Sequence, residues 1–307
     1  MTSIAILTPS YLPDLSGFRR LHESVLRFSD SDTVHHAIVP RRDLAAFQAI
    51  GSPRLRVWSE ADFLPPGFLA TDALAALRRR IPVVPRSVNC SAINLRRPWP
   101  PIRGWILQQV LKLSAATKLP AQAVVIIDSD VVLVRPMPAD SYFRGETVRT
   151  YENPGGLTGN LPRHVLWTKN AHELLGLPWA EQDSYADYVG GIVSWDPGVV
   201  RDCLTRIEAV TGRDWATAVT RYLHFSEFIL YGTYLRHFGS TVQQSFCEPL
   251  TRCHSYWSPV PLTQAAASAF VESRSEHDFA VHIQSNSGTE QDLINRILPG
   301  PNARSTP

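Results

Sequence analysis

The chain has 307 residues, 44% hydrophobic and 19% charged, with 30 basic side chains against 28 acidic ones and a net charge of +2. A chain of this size and mix buries a large core without disulfides or a structural metal, which excludes a disordered or disulfide-dependent scaffold. The near balance of charge excludes a nucleic-acid-binding field, and no run reaches the ~20 apolar residues that span a bilayer, so neither a nucleic-acid partner nor a membrane span is expected.

Residues 4–8 (IAILT) form a short apolar run suited to a buried strand, and without a basic segment ahead of it the run does not read as a signal peptide. A loop over 9–17 and a helix over 18–28 follow, then a strand at 36–39, a short helix near 43–50 and a third strand at 55–58. Strands alternating with helices predict a largely parallel sheet. Residues 60–101 are rich in Pro and Arg, with a helix expected over 71–80 that ends in Arg78-Arg79-Arg80, too short a cluster to bind nucleic acid. Over 102–117, Ile106, Val110 and Leu113 recur at helical spacing. That helix leads into Ala123-Val124-Val125-Ile126-Ile127, the most apolar run in the chain, which reads as a central parallel strand buried on both faces. A strand at 191–194, helices at 197–210 and 214–236, a strand at 279–283 and a short last helix complete the pattern, with a disordered tail expected over 299–307. Cys90, Cys203, Cys247 and Cys253 lack metal-knuckle spacing and read as reduced thiols of a cytoplasmic protein.

Asp128-Ser129-Asp130 stands where the apolar strand ends, the edge at which open α/β sheets bind ligands. Side chains two apart on an extended segment point the same way, so both carboxylates can face one cation while Ser129 turns aside. Hard oxygen ligands suit Mg²⁺ or Mn²⁺. A polar turn ending a strand is the plainer reading of the same triplet. A third is a haloacid-dehalogenase-type phosphatase, in which Asp128 would be the nucleophile and Asp130 the acid/base. That chemistry needs a late acidic pair, and beyond residue 214 the only aspartates are the isolated Asp278 and Asp292.

With YVGGIVSWDPGVV (188–200), FSEFILYGTYL (225–235) and VHIQSNSG (281–288) following the DSD in order, the chain resembles a nucleotide-sugar-dependent glycosyltransferase of the GT-A type, distantly glycogenin-like. More closely, RGWILQQVLKL, DSD, FSEF-x-LYG and the late histidine resemble a bacterial glycosyltransferase-like family. The resemblance implies a GT-A (Rossmann-like) α/β fold with a central, mostly parallel sheet flanked by helices. It also implies one catalytic domain over 1–298, with a nucleotide-binding half (1–135) and a donor-sugar and acceptor half (136–298). The implied reaction moves a sugar from a nucleoside-diphosphate sugar to a small-molecule or glycan acceptor, with Mn²⁺ or Mg²⁺ neutralising the departing diphosphate. A non-catalytic nucleotide-sugar-binding protein would carry the same motifs. Motif order leans toward retention at the anomeric carbon, although the family's Gln beside its acid and its Asn before the glycine pair are missing here.

On that resemblance the metal ligands are Asp128, Asp130 and His282, the last standing where the family has its late histidine and otherwise reading as a structural residue at a strand end. Pro9, Ser10 and Tyr11 close the first strand, where base and ribose are held: Tyr11 would stack on the base and Asp14 meet ribose or uracil, ordinary turn chemistry being the alternative. Gln109 and Lys112 share a helix face and would reach ribose or diphosphate, with Ser129 beside them; a solvated lysine is the commoner outcome. Gly190 and Gly191 either let backbones pack closely or leave room for a sugar. Glu227 would accept sugar hydroxyls or deprotonate the acceptor, or else serve the helix dipole. Tyr231 and Trp257 are the expected acceptor contacts, with a core role the alternative for Trp257.

Overall fold

The computed structural model describes residues 3–70 and 91–298. The helix expected over 71–80, Cys90 and the tail 299–307 lie outside the described residues. In chain order, the strands that build the site are β1 (Ile4–Pro9), β2 (Val34–Val39), β3 (Leu55–Ser59), β4 (Ala123–Ile127), β5 (Val131–Leu133), β6 (Ile192–Trp195), β7 (Cys253–Tyr256) and β8 (Ala280–Ile283). The helices that support them are α1 (Leu15–Phe28), α2 (Gly104–Lys118), α3 (Pro162–Leu175), α4 (Pro197–Thr211) and α5 (Glu227–Phe238).

The fold is mixed α/β around a five-stranded sheet of order β6-β4-β1-β2-β3. β3, β2, β1 and β4 run parallel and β6 runs antiparallel beside β4. Alternation along the two central strands explains why a continuous apolar run was needed. Ala5, Leu7, Val124 and Ile126 face a core built with α2, α4 and α5, while Ile4, Ile6, Ala123, Val125 and Ile127 face a second core with Leu21 and Val25 of α1. Both faces are covered, so neither strand has a polar side to offer.

The chain runs from β1 outward to β3 and then returns to place β4 on the other side of β1. That reversal is a topological switch point, and it opens a crevice at the carboxyl ends of β1 and β4. Thr8 Oγ1 ties the two strands there by donating to the Ile127 carbonyl at 2.6 Å, and His35 Nε2 meets the same oxygen at 2.9 Å. Since the threonine proton is committed, His35 donates from Nε2. Its Nδ1 then accepts from His22 Nδ1, 3.1 Å away, so buried neutral imidazoles continue the chain.

A second sheet of order β7-β8-β5 lies beside the first: β7 and β8 are parallel, and β5 runs antiparallel to β8. Its register sets His282 opposite Val131, one residue beyond the DSD. The two sheets meet closely at Gly191, where an added Cβ would stand 2.6 Å from Cys253 Sγ. Close packing, one of the two expected readings, therefore accounts for this glycine.

The helix expected over 214–236 is two helices, Trp215–Val219 and α5. Ser226 breaks it, because its side chain accepts from Ile229 N–H and caps α5 in extended backbone. Expected elements elsewhere shift by a few residues: the strand at 191–194 is β6, and the helix over 18–28 starts at Leu15 as α1. The short strands between residues 143 and 187, among them Asn153–Thr158 and Ser184–Asp187, were not anticipated. Gly and Pro hide the alternation in Asn153–Thr158, and the others are only two to four residues long, too short to show one. Cys203, Cys247 and Cys253 are free thiols. No helix among the described residues is long and apolar enough to cross a membrane.

Candidate functional site

The DSD turn leaves β4 with Val131 N–H returning to the Asp128 carbonyl at 3.1 Å. Asp128 and Asp130 part company there. The Asp128 side chain is half exposed, and its Oδ1 lies 3.1 Å from Lys112 Nζ. Lys112 in turn lies 3.2 Å from Glu227 Oε1 and 4.8 Å from the centre of the Phe228 ring. Burial works against the Lys112 charge, but Asp128 and Glu227 outweigh it and hold the ammonium well above its ordinary pKa. Burial pushes the Glu227 carboxyl up, with Lys112 opposing it. Gln109, one turn before Lys112 on α2, accepts the Glu227 backbone N–H at 3.0 Å and fixes the start of α5. Trp105, Gln109 and Lys112 form one stripe of α2 at helical spacing.

Asp130 belongs to the second sheet. Its Oδ2 accepts Ser285 N–H at 2.9 Å and lies 3.4 Å from His282 Nε2. Burial raises its pKa, but the partnership with His282 and Ser285 outweighs that and holds the carboxyl below its usual range. Trp257 is half exposed and tilts against His282 with ring centres 4.3 Å apart. The His282 Nδ1 atom is buried without a partner. Asp14 completes the acidic group: its Oδ2 takes the Ser129 hydroxyl at 3.4 Å, and burial followed by repulsion from Asp130 raises its pKa. Gly17 is required here, since an added Cβ would stand 2.8 Å from the Ser129 carbonyl.

One cleft lies at the turn and a second at the end of β1. The first, of about 190 Å³, is lined by Asp14, Arg20, Ser129, Asp130 and Ser285. The second, of about 380 Å³, opens between Pro9, Ser10 and Tyr11 on one side and Gly104, Trp105 and Gln108 on the other. Tyr11 and Trp105 are both more than a third exposed, and Ser10 Oγ is buried without a partner. The loop that carries these residues is held by Asp43, whose Oδ2 accepts Leu12 N–H at 3.0 Å.

The expected site residues are thus brought together in part. Pro9, Ser10 and Tyr11 share one cleft, whereas Asp14 lines the other, beside Asp130, and is not grouped with them. Lys112 is buried between Asp128 and Glu227, not solvated. Glu227 is only 3% exposed, and its carboxylate is engaged by that lysine instead of facing an open cleft. Tyr231, expected at an acceptor, is a core residue: it stacks on Trp195 and its hydroxyl accepts Asp196 N–H at 3.0 Å. A Cβ added at Gly190 would make ordinary contacts with Tyr151 at 3.6 Å and Val193 at 3.7 Å, so this buried glycine opens no room for a sugar. Trp105 was missed, although its place on the Gln109–Lys112 stripe could have singled it out.

Among the described residues, no group of three or more His, Cys, Asp or Glu side chains is assembled around a single point that could hold a metal. Asp128 pairs with Lys112, while Asp130 pairs with His282. The donor chemistry fits a divalent cation nonetheless: a carboxylate and an imidazole nitrogen face each other, two further carboxylates stand near, and burial together with repulsion from Asp130 raises the Asp14 pKa.

Fold and crevice define a mixed α/β protein with a polar site at the switch point of its sheet. The chain belongs to a family of unknown function, DUF6492, whose model matches residues 3–298. No curated protein matches it.

Proposed function

We propose that this protein is a metal-dependent glycosyltransferase on a GT-A-type fold, moving a sugar from a nucleoside-diphosphate sugar to a small-molecule or glycan acceptor. The observation that carries the reading is the pairing, at one switch point, of a nucleoside-sized cleft ending β1 with the carboxylate pair ending β4. The cleft volume of about 380 Å³ suits a small ligand, with Tyr11 and Trp105 as aromatic walls and Ser10 Oγ as an unused hydrogen-bonding group.

Asp128, Asp130 and His282 would hold Mn²⁺ or Mg²⁺, which would neutralise charge on the leaving diphosphate. The chain's own groups supply the rest. Lys112 keeps its proton between two carboxylates and presents a fixed positive charge beside Asp128. Glu227 acts on that lysine: it holds the ammonium in place from the dry side. The Trp257 face offers a surface for a sugar ring near Asp130.

A haloacid-dehalogenase-type phosphatase is the second reading, because a lysine 3.1 Å from the would-be nucleophile Asp128 is what that chemistry also needs.

Thermal unfolding against a panel of nucleoside diphosphates, with and without Mn²⁺, tests the proposal on wild type and Asp130→Ala. A ligand at 100 times its dissociation constant adds about 2.7 kcal/mol, a shift of several degrees. One nucleotide should stabilise wild type only with Mn²⁺ and leave Asp130→Ala unmoved. If none shifts wild type in either condition, the donor site is refuted, and turnover of an aryl phosphate would favour the phosphatase. Nucleotide binding without hydrolysis or transfer of any matching sugar would mark a binding protein.

A further inference from the structure

The cleft at the end of β1 is also where α2 begins. Gly104 and Trp105, the first two residues of that helix, line the cleft, and Gln108 continues the wall one turn on. The first N–H groups of a helix have no partner within it. Arg103 stands at the N-cap in extended backbone, but its side chain does not cap the helix. The first bond inside α2 runs from Leu107 N–H to the Arg103 carbonyl at 2.9 Å. Among the described residues, nothing accepts from the N–H groups of Gly104, Trp105 and Ile106. Donors at a helix start point the same way along its axis, so these three aim at one region.

On the other side of the cleft, Ser10 is only 4% exposed and its N–H donates to the Ile38 carbonyl at 2.9 Å. Its buried hydroxyl has no partner, a second polar group left unused at the same cleft. Arg42 and Glu60 both line the cleft, so its charged side chains balance. A charge-balanced cleft with free N–H donors suits a neutral acceptor, a carbonyl oxygen, better than a phosphate. With Tyr11 and Trp105 as aromatic walls, that carbonyl belongs to a flat ring.

We propose that the start of α2, together with Ser10, reads the base of the bound nucleotide and selects one with a ring carbonyl: uracil, thymine or guanine. Adenine and cytosine carry an amino group in that place and would set donor against donor, leaving both unpaired. This selection rests on the donor-site reading above, because the nucleoside must lie in this cleft for it to operate.

Dissociation constants are measured by calorimetric titration in Mn²⁺ for two matched pairs, inosine diphosphate with ADP and UDP with CDP. Each pair exchanges a ring carbonyl for an amino group. In whichever pair binds, the carbonyl member should bind at least about tenfold more tightly. Equal affinities within the pairs, or preference for an amino member, overturn the proposal and leave the donor site standing. If none of the four binds, both fall together. Arg103→Ser and Arg103→Ala then test the helix start, since both lose the charge and only the serine caps. Relative to Arg103→Ala, Arg103→Ser should melt higher and bind the preferred nucleotide about fivefold more weakly, because the cap takes N–H groups that the base needs. A higher melting temperature with unchanged affinity means that the helix start does not meet the base, and overturns the proposal.

Discussion

Lys112 Nζ stands 3.1 Å from Asp128 Oδ1 and 3.2 Å from Glu227 Oε1, so one ammonium joins the surface of the crevice to the buried start of α5. Breaking a buried pair by removing one partner strands the other charge and costs about 3–5 kcal/mol. Lys112→Met should therefore destabilise by about that much in urea unfolding, and Lys112→Met with Glu227→Gln should recover most of the loss. A single-variant cost below about 1 kcal/mol would mean that the pair is solvated after all.

Trp105 and Tyr11 wall the cleft at the end of β1. Stacking a base on an aromatic face is worth about 1–3 kcal/mol, so Trp105→Ala should weaken nucleoside diphosphate binding at least about tenfold in calorimetric titration. Sugar-free nucleotide is the right probe, since Trp257 lies beside His282, whereas Trp105 lines the cleft ending β1. Equal affinity in wild type and variant would remove Trp105 from the site.

At Gly191 the two sheets touch. Gly191→Ala puts a Cβ 2.6 Å from Cys253 Sγ and should cost about 1–3 kcal/mol by overpacking. Replacing Cys253 by Ala at the same time should return part of that, giving a favourable coupling in a double-variant cycle. Additive costs would show that the strain sits elsewhere.

Stability should depend on pH through the buried imidazoles. Burial, the largest cause in each case, pushes His22 and His36 down to about 4 and His35 well below its ordinary value. The unfolded chain takes those protons near pH ~6.5, so the stabilisation is complete above that pH and drains as pH falls toward the folded values. Between pH ~7 and ~5.5 each histidine should remove about 1 kcal/mol. His36→Gln, which can still accept from Trp58 Nε1, should lose correspondingly less. A flat profile over that window would contradict buried neutral imidazoles.

How much of this was legible in the chain itself follows from the range of each interaction. The runs IAILT and AVVII announce strands covered on both faces, and the periodicity of Ile106, Val110 and Leu113 announces α2, because local pattern and burial agree there. From a strand that ends in DSD, a carboxylate pair at a sheet edge follows directly. Ser226 was harder to read: a cap inside an apolar stretch interrupts a helix that composition alone would continue. Glycine and proline concealed the strand at Asn153–Thr158, and the partner strand Ser184–Asp187 is too short to show an alternation.

The sequence by itself determined the central parallel sheet, the helix before it and the position of the aspartates, since hydrophobic periodicity and strand ends are properties of neighbouring residues. Only the tertiary structure decided what each aspartate meets. Asp128 is claimed by Lys112, and Asp130 by His282 and Ser285, because the strand order and the register of β8 against β5 bring those partners in from distant parts of the chain. Tertiary packing likewise buried Glu227 and Tyr231, while Trp105 was left lining a cleft. Which of several chemically suitable side chains faces the crevice is set by how helices dock on the sheet, and docking is a sum over many weak apolar contacts that no local motif encodes.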